Sequence, residues 1–393
     1  MYWVCPATNL VWDAHNFIFS LSLKKIMAKI ALVHDYLVQY GGAERVLECF
    51  TELYPNAPIY TLVYNKELMH GVFADKKIRT SFIQKLPFAK KHHRIFPQFM
   101  PMAIEQFDFS NYDIVLSDSS SYAKGIITGP DTLHLCYIHT PMRYAWDDCQ
   151  KYTSDFDFPS IIKKIVPFFM NYIRIWDRVS AERPDKIIAN SNFVAKRIKK
   201  YYKRDSTVIH PPVDVDRFYM SNENDGSFLM VGRLVAYKRH DITIKAFNKL
   251  GFKLKIIGRG PEMKRLQKLA KSNIEFFGRV PDSELPKYYA KCKAFLFPQE
   301  EDFGIVAMEA LASGKPIVAF RGGDVVEHVE EGKSGIFFES QTVSDIVEAV
   351  QKLDTLEYNP EYNREKAKKF DKRLFKARIK EYIDAQYMDF KSK

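Results

Sequence analysis

A series of short apolar runs, separated by stretches of helical pattern, constrains the fold of this chain more than any other feature. The runs are Ile30 to His34, Ile114 to Ser117, His134 to His139, Lys186 to Ala189, Phe228 to Val231, Lys253 to Ile257, Ile274 to Phe277, Ala294 to Phe297 and Pro316 to Ala319. A strand covered on both faces loses the alternation of a half-exposed strand and becomes a continuous hydrophobic run. Its alternation with helices predicts an α/β fold of doubly wound parallel sheets, covered by helices on both sides. The pattern breaks at Pro211-Pro212, where adjacent prolines stop regular structure, and the polar tract Ser221 to Ser227 has linker composition. The expected organisation is a Rossmann-like domain over 27–210, a linker over 211–226, a second Rossmann-like domain over 227–361 and a helical tail over 362–393. Ligands of such sheets bind outside the carboxyl ends of the strands. The loops that follow the strands, facing each other across a cleft, are therefore where chemistry is expected.

At 393 residues the chain has room for two domains, and 46% hydrophobic with 27% charged residues is the composition of a folded globular protein. A net charge of +11 favours acidic partners: nucleotide diphosphates, phospholipid surfaces or nucleic acid. The sequence carries no recognised nucleic-acid motif and no RNP-like aromatic strand, which argues against the last of these. Cys5, Cys49, Cys136, Cys149 and Cys292 are widely spaced and odd in number, fitting neither a disulfide framework nor a zinc site and suiting a reducing cytosol. Phe17 to Leu23 is an apolar run with Asp13 and His15 before it and Lys24 and Lys25 after it, the wrong polarity for a signal peptide. Met27 stands directly before the first strand, so residues 1–26 read as an upstream extension. No apolar run reaches the roughly 18 residues a membrane span needs. The expected location is the cytoplasm, with peripheral attachment at the inner face of the cytoplasmic membrane.

The richest chemistry lies in Pro298 to Ala312. After the apolar run Ala294 to Phe297, a short loop carries Glu301, Asp302 and Phe303, turns at Gly304 and starts a helix at Ile305 and Val306, with Glu309 inside it. The first turn of a helix presents backbone N–H groups with no partner in the helix, which suits a diphosphate. Glu301 and Glu309 add acceptors for hydroxyl groups at two depths, one for a hexose and one for a ribose. The loop after Phe228 to Val231 is Gly232-Arg233-Leu234-Val235-Ala236-Tyr237-Lys238. Its two cations can grip a diphosphate, Arg233 by its planar fork and Lys238 as a point charge. Gly258-Arg259-Gly260-Pro261 and Gly278-Arg279-Val280 follow two further strands. In the first domain, Gly41 and Gly42 let the backbone approach a ligand closely at a helix start. The strand ending at His139 leads into Thr140-Pro141-Met142-Arg143-Tyr144, a turn dressed with cationic and aromatic groups as a cleft wall is.

Together these segments resemble the retaining family 4 glycosyltransferases of GT-B fold, and most closely the bacterial GDP-mannose-dependent mannosyltransferases of surface polysaccharide assembly. The resemblance covers most of residues 27–390. It implies that Glu301 contacts the transferred sugar and Glu309 the nucleotide ribose, and that Arg233 and Lys238 hold the donor pyrophosphate. It further implies that Gly41, Gly42, Gly260, Asp302, Phe303, Gly304, Ile305 and Val306 line the donor, and that Val280 meets the nucleobase. His139 would approach the sugar or its phosphate, and Arg143 and Tyr144 would face the acceptor. With Arg233, Lys238 and Glu301, His139 completes the expected catalytic set. Cations already do a metal's work at the diphosphate, so neither metal nor cofactor is expected beyond the nucleotide-sugar donor.

Asp155-Phe156-Asp157 and Asp214-Val215-Asp216 match the D-x-D spacing of metal-dependent transferases, but tripeptides recur by chance. His92-His93 sits in a basic, aromatic surface stretch. Lys85 to Met100 and Ile161 to Met170 mix lysines with large apolar groups, as segments lying on anionic lipid headgroups do. The other readings are a UDP-sugar-dependent transferase, a sugar-nucleotide epimerase of the same fold, and a non-enzymatic basic membrane- or nucleic-acid-binding protein. An oxidoreductase is opposed by the missing G-x-G-x-x-G fingerprint.

Overall fold

The computed structural model describes residues 28–92, 95–147, 160–355 and 357–393. The readings made on 1–26, on His93 and on Asp155-Phe156-Asp157 lie outside the described residues.

Two parallel sheets organise the chain. The first holds β1 (Ile30–His34), β2 (Ile59–Thr61), β3 (Ile78–Thr80), β4 (Ile114–Ser119), β5 (Leu133–Ile138), β6 (Lys186–Ala189) and β7 (Thr207–Val208), in the order β3-β2-β1-β4-β5-β6-β7. The second holds β8 (Phe228–Val231), β9 (Leu254–Ile257), β10 (Ile274–Gly278), β11 (Ala294–Phe297), β12 (Ile317–Phe320) and β13 (Gly335–Phe338), in the order β10-β9-β8-β11-β12-β13. Strand order reverses between β1 and β4 and again between β8 and β11, the switch points at which doubly wound sheets open a crevice. The α/β class and the apolar runs are therefore as the sequence indicates. The strands that the apolar runs miss are β2 and β3 with three residues each, β7 with two and β13 with four, and Arg79 interrupts β3 at the sheet edge.

The helices that matter for the site are α1 (Gly42–Leu53), α2 (Ser160–Ser180), α3 (Asn192–Tyr202), α4 (His240–Leu250), α5 (Ile305–Ala312), α6 (Val343–Lys352), α7 (Pro360–Lys368) and α8 (Lys372–Lys391). On α1, Val46, Leu47 and Phe50 form one stripe into the first domain's core. Helix α4 stops at Gly251, whose φ of 73° is the left-handed cap that glycine supplies most easily. None of the described helices is long and apolar enough to cross a membrane.

The tail ties the two domains together. Ala367 and Phe370 join the second domain's core beside Met308 and Leu311 of α5. Two residues later the chain enters α8, capped by the Asp371 side chain, which accepts from the Arg373 amide. Phe375, Ile379 and Ile383, spaced four apart on one face, pack against Leu32, Val46, Phe50 and Tyr137 of the first domain. The Phe375 and Phe50 rings stack at 6.1 Å. The segment that composition marks as linker is partly core: Val213, Val215 and Phe218 are buried, and Val213 exchanges backbone bonds with the tail, its N–H donating to Phe370 at 2.8 Å.

Truncating the stripe tests this docking. Ile379→Ala, at a wholly buried position, should cost about 2–5 kcal/mol in urea unfolding followed by tryptophan fluorescence. Leu374→Ala on the exposed side should stay within about 0.5 kcal/mol; equal losses would show that α8 does not dock through this face.

Candidate active site

Parallel register decides which side chains meet at the carboxyl ends of the first sheet. It places His34 beside Asp118 and Ser119 beside Ile138, so His139 emerges one residue past β5. His139 Nε2 is hydrogen-bonded to Asp118 Oδ1. The other Asp118 oxygen lies 3.3 Å from His34 Nδ1, and His34 Nε2 lies 3.6 Å from Glu44. Glu44 in turn accepts from the Gly41 amide at 2.8 Å, closing the start of α1. Burial alone would strip the proton from His34, but Asp118 and Glu44 outweigh it and push its pKa up to about 10. Burial likewise works against ionised Asp118, yet His139 and His34 hold its carboxyl below the usual range. His139, with its side chain 12% exposed, thus heads a buried row in which histidines and carboxylates alternate. Asp118 and Glu44 each carry a sequence signal: an acidic residue near the end of a buried strand, and one in the first turn of a helix. His134, one strand face away, is a core histidine that burial, with Arg183 and Arg204, pushes down to about 3.

Across the cleft, the loops after β8 and β11 bring two of the expected donor residues into direct contact: Lys238 Nζ lies 2.6 Å from Glu301. Burial opposes the lysine's charge, and Glu301 restores it, leaving its pKa above the ordinary value. Arg233 on the same loop is exposed. Gly260 has a structural reason for being glycine: a Cβ there would stand 2.1 Å from the Leu234 carbonyl, so the turn after β9 packs directly on the Arg233 loop and sets its path. Val280 is half-buried against the second domain's core, as are Ile305 and Val306 at the start of α5, while Phe303 is buried and Gly304 caps the helix.

The two domains meet through helix starts and ion pairs. A Cβ on Gly42 would come within 3.0 Å of the Ile305 side chain, so the first residue of α1 abuts the first residue of α5. Arg45 donates to Glu309 at 2.7 Å, Tyr289 donates to its other oxygen at 3.0 Å, and Arg217 lies 3.7 Å away. Burial would lower the Arg45 pKa, and Glu309 more than offsets it. Asp302 accepts from Arg143 at 2.9 Å and from Arg197, and its carbonyl accepts from Ser191 at 2.6 Å. Arg143 also lies over the Tyr237 ring at 5.7 Å, joining the His139 turn to the Lys238 loop.

These contacts modify several sequence expectations. Glu309, expected at a ribose, is 1% exposed and engaged by Arg45 and Tyr289. Arg143, expected at the acceptor, is committed to Asp302. The Tyr144 hydroxyl bonds to that of Tyr122 at 3.1 Å, and its ring packs on the first domain's core instead of standing open to an acceptor. Arg45, Ser191 and Arg197 join the site without standing in any of the sequence motifs. Arg45 has a sequence signal of its own: a cation near the N-terminus of a helix opposes the helix dipole and implies a partner elsewhere.

Comparison with known proteins agrees with this architecture. Residues 40–217 match the family described as "Glycosyltransferase Family 4", and residues 215–373 match "Glycosyl transferases group 1". The chain belongs to the family 4 glycosyltransferases of GT-B fold. An uncharacterized glycosyltransferase of Methanocaldococcus jannaschii is 31% identical over 207 residues, which cover 51% of this chain and 58% of that one. A mycobacterial relative, the GDP-mannose-dependent alpha-(1-6)-phosphatidylinositol monomannoside mannosyltransferase of Mycobacterium tuberculosis, is 30% identical over 174 residues, covering 36% of this chain and 45% of its own length. The chain thus spans about half the length of these curated relatives. The solved structure of Anabaena Alr3699/HepE in complex with UDP and glucose shares the fold, with a TM-score of 0.67 and 18% identity over 91% of this chain and 99% of that one.

The His34 pair gives a pH signature. The His34 pKa is raised in the folded state, so its contribution is fully present below the unfolded value of about 6.5 and is lost as pH rises through about 10. The stability difference between wild type and His34→Gln should therefore be largest near pH 6 and shrink steadily toward pH 10 in chemical denaturation. A pH-independent difference would show that His34 is neutral in the fold.

Proposed function

We propose that this protein is a retaining glycosyltransferase that moves a hexose, mannose from GDP-mannose, to a glycan or lipid-linked acceptor in cell-surface polysaccharide synthesis. The observation that carries the reading is the Lys238–Glu301 pair, with Arg233 exposed beside it, at the switch point of the second sheet. An incoming diphosphate competes with Glu301 for Lys238. Once Lys238 and Arg233 turn to the phosphates, the Glu301 carboxylate is freed to accept from sugar hydroxyls. The same cations, with the amides that open α5, stabilise charge growing on the departing diphosphate. His139, held by Asp118, faces the sugar from the other domain, and the acceptor hydroxyl attacks from the face the diphosphate leaves. Holding both reactants in the cleft supplies much of the acceleration. Glu301 orients the sugar and forms no covalent bond.

GDP-mannose is favoured because the mycobacterial relative is named for that donor. The Anabaena structure was solved with UDP and glucose, which keeps a UDP-sugar as the second reading. Attachment to an anionic membrane surface fits the exposed apolar residues of the first domain: Phe88 at 77%, Ile95 at 57%, and Tyr172, Ile175 and Val179 along one side of α2.

Thermal-shift and turnover measurements with GDP- and UDP-sugars test the reading. GDP-mannose should raise the melting temperature of wild type and support transfer with retained anomeric configuration. Lys238→Ala should abolish that shift and lower kcat/KM by about 100-fold or more. A shift with a UDP-sugar alone overturns the mannose assignment, and equal shifts in wild type and Lys238→Ala overturn the site.

A further inference from the structure

Behind the donor loop, three side chains converge that the proposed reaction does not use. His210 follows β7 at the end of the first domain, while Asp324 and His328 lie after β12 in the second. One ligand atom from each falls within 4.8 Å of the others. His210 Nδ1 is 3.1 Å from the Asn190 carbonyl, which can only accept. The proton is therefore on Nδ1, and Nε2 carries a free lone pair, the state in which a histidine binds a metal while its other nitrogen is anchored. Asp324 is wholly buried, yet neither of its carboxylate oxygens makes a hydrogen bond. His328 Nε2 stands 2.7 Å from Asp324 Oδ2 without hydrogen-bond geometry. A true N–H···O bond of that length would be close to linear. Donor atoms this close, with no hydrogen bond satisfying them, are available to one shared ligand. Without a partner, a buried carboxylate is costly.

We propose that His210, Asp324 and His328 bind one divalent transition-metal ion, zinc being the best match to two imidazoles and a carboxylate. The Phe303 and Phe370 rings wall the cluster, stacked or edge-on to His210 and His328. The Asp324 amide donates to the Glu301 carbonyl at 3.0 Å, so an ion here would brace the backbone that carries Glu301 and Phe303. It would also clamp the last loop of the first domain to the second. The site takes no part in bond making and does not depend on the donor assignment.

The test uses the full chain, stripped with a chelator and reloaded with Zn²⁺. Metal content after desalting, competition with a chromophoric chelator, and melting temperature are read for wild type, Asp324→Asn and His328→Gln. Wild type should hold about one zinc per chain and melt higher with zinc, while each variant binds about tenfold or more weaker and gains no thermal shift. No stoichiometric zinc in wild type, or undiminished binding in the variants, would overturn the proposal and leave an ordinary His–Asp pair. If the variants do not fold, Co²⁺ substituted into wild type decides: ligand-field bands without thiolate charge transfer support the site. Thiolate absorption would place the ion on cysteine and refute it.

Discussion

A carboxylate with almost no access to water, Glu309, sits where the two domains touch, and much of the surrounding architecture follows from it. A buried charge that loses its partner is strongly destabilising, by about 3–5 kcal/mol in general. Glu309 is met by Arg45 from the other domain, by the Tyr289 hydroxyl and by the nearby Arg217. For Arg45 to reach it, α1 must start directly against α5, and Gly42 supplies the missing side chain that lets it do so. The consequence is electrostatic. Two helix N-termini and several cations are gathered at one cleft, offset in this structure by Glu301, Asp302 and Glu309. Such a cleft is predisposed to exchange carboxylates for phosphates, because the new anion meets donors already in place.

The first sheet solves a different problem with the same means. Register sets His34 against Asp118, and the row ending in His139 keeps histidines and carboxylates together where water is excluded. The histidine that faces the cleft is therefore supported from behind by a fixed carboxylate, much as a metal-bound or catalytic imidazole is oriented by its second nitrogen. The tail links both halves: α7 belongs to the second core and α8 to the first, with Val213 paired to the strand-like turn between them. Relative movement of the domains must pass through that junction.

Sequence pattern reveals the parts of this molecule that depend on local chemistry. Buried parallel strands need continuous apolar runs, so β1, β6, β8 and β11 stand out, whereas the three residues of β3, split by Arg79, do not. The residue types proposed for a diphosphate are visible in Arg233, Lys238 and Glu301, but the pairing of Lys238 with Glu301 across two loops is not, since it arises only when β8 lies beside β11. The same holds for Arg45 and Glu309, 264 residues apart, and for Arg197 and Asp302. Composition misleads at 213–218, where prolines and polar neighbours suggest a linker although Val213, Val215 and Phe218 are buried. Tyr144 looks like a cleft residue because it follows His139, yet its hydroxyl bonds to Tyr122 and its ring packs on the first domain's core.

The proposed reaction requires a diphosphate to take over the cations of the second domain. A crystal structure of the protein with a bound nucleoside diphosphate tests that most directly. The predicted result has phosphate oxygens within hydrogen-bond reach of Lys238 and Arg233 at the start of α5, with Glu301 released from Lys238. A nucleotide bound elsewhere, with the Lys238–Glu301 contact intact, would contradict it.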